Sequence, residues 1–91
     1  MKNCTNIKDK KRIISAGVDI KTADLRNNNW SFPALLELLG DGNWMIHCTK
    51  GLENPITITY KFWDTVIVKH GKDLIDVAVD LICEVYKQDL T

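Results

Sequence analysis

The residues of this 91-residue chain whose types could do chemistry are few and poorly spaced for it. His47, Cys48, His70 and Cys83 form its set of soft metal ligands. Zinc needs three or four such groups converging at roughly 2.0–2.3 Å. His47 and Cys48 are neighbours on an expected strand, where successive side chains point to opposite faces, so one ion does not readily take both. No C-x-x-C or H-x-x-x-H spacing accompanies them, and neither a metal site nor a cofactor is expected. A nucleophilic centre would join a thiol or hydroxyl to an imidazole and a carboxylate. Cys48, His70 and Asp64 come nearest to that set, without the glycine pattern of a nucleophile elbow or an oxyanion hole. Asp76 and Asp80 lie one helical turn apart, and on a wet helix face such a pair solubilises rather than transfers protons. These patterns supply no catalytic residue, and the chain reads as non-enzymatic.

Binding patterns are the next candidates. Lys8, Lys10, Lys11 and Arg12 could touch phosphate, but their spacing spreads them around most of a helix, as on a solvated one. Twelve basic and twelve acidic side chains cancel, so the charge footprint of a general nucleic-acid binder is missing. Three tryptophans, Trp30, Trp44 and Trp63, are many for this length. Trp44 shares the phase of Ile46 and Cys48 and is expected in the core, with Cys48 as a small core residue and Cys83 on the flank of the last helix. Trp63 is out of phase with the apolar side of its strand. With Met45 and Ile67 it makes a candidate interface patch; the alternative is a core on both faces of the sheet, with helices on each side.

These side chains must be positioned by a small set of elements. The segment Asn6–Ala16 predicts a short helix with Ile7, Ile13, Ile14 and Ala16 on its apolar side, Lys8–Arg12 in water, and Gly17 ending it. Thr22 is placed to cap a single turn, and Asn27-Asn28-Asn29 predicts a loop. Ser31 and Pro33 open a second helix with an apolar stripe of Phe32, Leu35, Leu36 and Leu39, closed by Gly40. From Asn43 the period changes to alternation, predicting strands at Trp44–Thr49, Ile56–Trp63 and Thr65–Lys69, with His70-Gly71 breaking the last. Lys72–Gln88 then predicts an amphipathic helix with Leu74, Ile75, Ala78, Leu81, Ile82 and Val85 inward and Asp73, Asp76, Asp80 and Glu84 outward. The expected fold is α+β. A small antiparallel sheet of about three strands is packed by a leucine-rich helix and a C-terminal amphipathic helix, with a short N-terminal helix, all as one domain over residues 1–91.

The ordered pattern I-x-x-G-V-D-x-x-T-A-D at Ile14–Asp24, W-S-F-P-A-L-L-E-L-L at Trp30–Leu39 and L-I-D-V-A-V-D-L-I-C at Leu74–Cys83 resembles a group of small proteins from gut bacteria and their phages or prophages. The resemblance runs from Ile13 to Tyr86, with Thr22-Ala23-Asp24 as its least generic part. It departs at Leu25, where the pattern would carry Met. It implies a compact α+β unit of mobile-element character and transfers no catalytic residue. Lacking any apolar run of ~20 residues, and with a polar, lysine-rich Met1–Arg12, the chain is expected in the cytoplasm with no membrane partner. The three cysteines are odd in number and are expected as free thiols. The leading expectation is an accessory protein acting by self-association, as a homodimer, or by binding a host or phage protein. The alternatives are a ligand-binding or enzymatic domain with a pocket near His47 and His70, and nucleic-acid binding through Lys8–Arg12.

Overall fold

Asn6 opens the first helix, α1 (Ile7–Ser15), by a reciprocal exchange with Asp9: its side chain accepts the Asp9 amide at 2.9 Å and the Asp9 carboxylate accepts the Asn6 amide at 3.0 Å. Two donors that a first helical turn leaves unpaired are thereby satisfied. Gly17, with φ of 105°, takes the chain out of the helix. The structure, a computed structural model, describes residues 3–89. Of α1, Ile13 and Asp9 are buried, while Ile7 and Ile14 stay exposed. Asp9 therefore belongs with the capped, covered end of the helix and not with the water-facing lysines.

The segment between α1 and the next helix folds around Trp30. Asp19, not Thr22, caps a single 3-10 turn (Ile20–Thr22), its carboxylate accepting the Lys21 amide at 2.9 Å. Thr22 ends that turn, its hydroxyl donating to the Asp19 carbonyl at 2.7 Å and accepting the Trp30 indole N–H at 2.9 Å. The Asp24 carboxylate accepts the Ser31 amide at 2.8 Å and the Ser31 hydroxyl at 2.5 Å. The Trp30 amide donates to the Thr5 hydroxyl at 2.9 Å, and the Trp30 carbonyl accepts the Thr5 amide at 3.0 Å. The T-A-D triplet and the W-S pair are thus two halves of one lock that seats a fully buried indole. Between them Asn27 and Asn28 take φ of 62° and 57°, a region asparagine tolerates better than other side chains.

Ser31 then caps α2 (Phe32–Glu37), accepting the Ala34 amide at 3.3 Å, with Pro33 in the first turn where its missing amide proton loses nothing. The buried side chains are Ala34, Leu35, Leu38 and Leu39, with Phe32 and Leu36 at the margin, so the stripe lies a little to one side of the predicted one. The buried Tyr60 hydroxyl donates to the Leu39 carbonyl at 3.0 Å and ties the end of this helical segment to the sheet.

The sheet is antiparallel in the order β1-β2-β3, from β1 (Asn43–Cys48), β2 (Ile56–Phe62) and β3 (Thr65–Gly71). Its last strand continues through His70 and Gly71 instead of stopping at Lys69. Gly71 pairs with Ile56, and a Cβ there would stand 2.7 Å from the Val77 Cγ2, so glycine at this point lets the following helix lie close. Asp73 caps that helix, α3 (Leu74–Lys87), by accepting the Ile75 amide at 2.9 Å. Ile75, Val77, Ala78, Val79, Leu81, Ile82 and Val85 of α3 are buried, an arc of more than half its circumference. The helix lies over β2 and β3 and is flanked by α1 and α2, which is why Val77 and Val79 join the predicted stripe. The helical layer sits on one face of the sheet, not on both. Among the described residues no helix is long and apolar enough to cross a membrane.

Two predictions test the Trp30 lock. Thr22→Val leaves the buried indole N–H without an acceptor and is expected to destabilise the fold by ~1–3 kcal/mol in urea titration, with Thr22→Ser close to wild type. The two Ser31 hydrogen bonds, side chain first, hold the Asp24 carboxyl below its ordinary value of 3.8. A lowered folded-state value means these bonds add stability that is full above that pH and drains as pH falls through the folded-state value. The stability gap between wild type and Asp24→Ala, measured by thermal unfolding, is expected to be constant near neutrality and to narrow below pH 3.8.

Candidate interaction surface

The register assigns every strand residue to a face. Toward the helices stand the rows Trp44–Tyr60–Ile67, Ile46–Ile58–Lys69 and Cys48–Ile56–Gly71. On the outer face stand Asn43–Lys61–Val66, Met45–Thr59–Val68 and His47–Thr57–His70. Nothing described covers the outer face: Met45, Val66 and Val68 are exposed, as are His47, Lys61 and His70. A shallow, mainly apolar depression of about 200 Å³ opens there against Asn43, Trp44, Met45, Thr59 and Lys61.

The predicted patch of Met45, Trp63 and Ile67 is divided by this geometry. Ile67 lies opposite Tyr60, faces α3 and is only 7% exposed, so it is a core residue and no part of a surface. Its neighbours Val66 and Val68 take the outward places. The alternation within β3 predicts their shared side, but joining it to that of Met45 needs the β1–β2–β3 register. Trp63 is 82% exposed at the tip of the β2–β3 hairpin, with φ of 54°, and its ring meets the Phe62 ring edge-on at 6.3 Å.

Trp44 has the predicted inward phase but remains 45% exposed, because α3 lies over the other two strands and β1 projects past it. For the same reason Cys48 is exposed instead of buried, and Ile46 is only partly covered. Beyond β1 the sheet ends: among the described residues this strand is paired with β2 alone.

The residues that could do chemistry do not converge. Cys48 faces the helical side while His70 is on the outer face, where its Nδ1 lies 2.8 Å from the Thr57 hydroxyl. Asp64 is in the hairpin turn at the opposite end of β3 from His70. His47 and His70 do share one row, either side of Thr57, but on open surface and not in a pocket; the His47 Nε2 contacts the Met45 Sδ at 2.9 Å. Among the described residues no group of three or more His, Cys, Asp or Glu could hold a metal ion.

The basic cluster is partly committed to the fold. Arg12 pairs with Asp80 of α3 at 2.6 Å, and this hydrogen bond, more than anything else, raises the guanidinium's pKa. The Lys10 ammonium donates to the Asn27 carbonyl. Beside that pair the Cys83 thiol lies 3.7 Å from the Arg12 carbonyl, and burial pushes its pKa up, a setting that disfavours the reactive thiolate. Lys69 and Glu84 make a second bridge between β3 and α3 at 3.7 Å.

No protein-family model, no curated protein and no solved structure matches the chain.

Trp63 gives a direct check that the exposed aromatics do not serve the core. A left-handed φ at a bulky residue is strained by about 1–2 kcal/mol, and the edge contact with Phe62 returns roughly 0.5–1.5 kcal/mol. Trp63→Gly is therefore expected to leave stability within ~1 kcal/mol of wild type in denaturant titration, where Trp30→Ala removes several times as much.

Proposed function

We propose that this chain is a non-enzymatic interaction protein that binds protein through the uncovered parts of its sheet, the outer face and the β1 edge. The observation that carries the reading is the bare outer face itself, on which Met45, Val66 and Val68 stand exposed. A strand layer with helices on one side buries that side only, and apolar side chains on the other gain their burial from a partner. Trp63 at the hairpin tip extends the same apolar character to the rim. The separation of Cys48, on the helical side, from His70 on the outer face and Asp64 in the hairpin turn supports this reading over a nucleophilic centre. The mobile-element character suggested by the T-A-D and W-S-F-P-A-L-L-E-L-L patterns fits a small accessory protein of this kind, with host or phage proteins and copies of itself as the partner classes.

The test is a triple variant, Trp44→Lys/Met45→Lys/Val68→Lys, which places charge on both uncovered regions without touching the buried core. Circular dichroism is expected to match wild type, while association with protein, read by light scattering and cross-linking, falls at least about tenfold. Association that is unchanged in the variant, or a wild-type chain that binds no protein at all, contradicts the proposal.

A further inference from the structure

The backbone of β1 carries information about which partner fits its edge. Just past the strand, Thr49 donates its amide to the Pro55 carbonyl at 2.8 Å. In an antiparallel ladder the paired direction alternates residue by residue. Asn43, Met45 and His47 therefore turn amide and carbonyl toward β2, and Trp44, Ile46 and Cys48 turn theirs away from the sheet. An edge of this kind is a template for another strand unless charge, proline or a bulge blunts it. Strand β1 has none of the three: it reads Asn-Trp-Met-Ile-His-Cys, and its register with β2 is unbroken from Asn43 to Cys48.

The charges that flank the strand in sequence distinguish one partner from others. Asp41 stands two places before Asn43 and Lys50 two places after Cys48. Parallel pairing of two copies would set like charges at the same end, whereas antiparallel pairing brings Asp41 of each copy to the end of the strand that carries Lys50 in the other. We propose that β1 pairs antiparallel with β1 of a second copy, about a twofold axis at Ile46, to form one continuous six-stranded sheet. This rests on the protein-binding reading and names its partner.

The register follows from the pleat. Residues directly opposite must share a face, so the twofold axis passes through a residue, and Ile46 is the outward-turned residue nearest the strand centre. Trp44 then lies opposite Cys48 of the second copy, the largest side chain against a small one, and Ile46 lies opposite its own equivalent. On the outer face Met45 comes opposite His47. The half-covered inner side chains that α3 does not reach are the ones this pairing covers. A six-residue strand pair with these side chains lies toward the small end of specific interfaces, so the dimer is reversible and concentration-dependent.

Light scattering and sedimentation from about 1 μM to about 1 mM span the range such an interface occupies. The mass is expected to rise from that of one chain to twice it. Cys48→Pro removes an outward amide without touching the ladder to β2 and is expected to abolish the rise, with Cys48→Ser retaining it. Should Cys48→Pro fail to fold, the charge series decides on its own. Asp41→Lys and Lys50→Asp each weaken dimerisation several-fold, and the two together restore it. In a Cys48→Ser background, a mixture of Met45→Cys and His47→Cys chains treated with oxidised glutathione is expected to form a disulfide between the two variants, the glutathione taking the two electrons and two protons. A chain monomeric throughout the range overturns the pairing, as does a dimer indifferent to both Cys48→Pro and the charge changes. If that indifferent dimer is lost on Met45→Lys/Val68→Lys, the pairing fails and the protein-binding reading survives through the outer face. A monomer whose edge takes only an extended segment of another protein likewise overturns self-pairing alone, and a monomer bound by no protein removes both.

Discussion

Helix α3 is the constraint on which the rest of this structure depends. It is wrapped over more than half its circumference by β2, β3, α1 and α2, and its buried residues contact every other layer of the core. Burying a large aliphatic side chain contributes ~1.5–3 kcal/mol, so the apolar side of this one helix matches in scale the net stability of a small domain, ~5–15 kcal/mol. Its close seat is prepared by Gly71, whose missing Cβ leaves room for Val77, and by the Asp73 cap that starts the helix directly after the strand. Charge pairs at the two flanks, Arg12 with Asp80 and Lys69 with Glu84, orient neighbouring elements on it. As both are partly solvated, they add specificity more than stability.

The position of α3 also decides what is left open. One helix of this width covers two strands, and the third strand, β1, projects beyond it. Exposure of Trp44 and Cys48 follows from that offset, not from any polar character of their own. The outer face is bare for a related reason: α1 and α2 take their burial from α3 on the same side of the sheet. The open surfaces of this protein are consequences of where its core is, and they coincide with its surplus of aromatic and apolar side chains.

Much of this was legible in the residues. Among the described residues periodicity located the three α-helices and the three strands, because Leu35 and Leu39, Ile56 through Tyr60, and Ile75 through Val85 carry unambiguous 3.6- or 2-residue patterns. What failed depended on contacts between elements. Ile67 joined Met45 in the expected patch because phase within one strand does not reveal which face of a neighbouring strand it matches; pairing with Tyr60 settles that. Trp44 has the phase of a core residue, and only the breadth of the helical layer shows that the core stops short of it. Asp9 had a local signature, the Asn6-x-x-Asp9 exchange, hidden among lysines whose exposure was the stronger pattern. Gly71 has the composition of a strand breaker and acts as the close-packed end of a strand. The Trp30 lock joins Thr5, Thr22, Asp24 and Ser31 across the chain, and no short motif announces such a set.

An open, charge-free edge strand is the central claim, and amide hydrogen exchange followed by NMR measures it residue by residue. In dilute solution the Met45, His47 and Thr49 amides should be protected by β2 while those of Trp44, Ile46 and Cys48 exchange freely, and raising the protein concentration should slow these three alone. Protection of all six amides at every concentration would mean that the edge is covered within a single chain, and the account would fail.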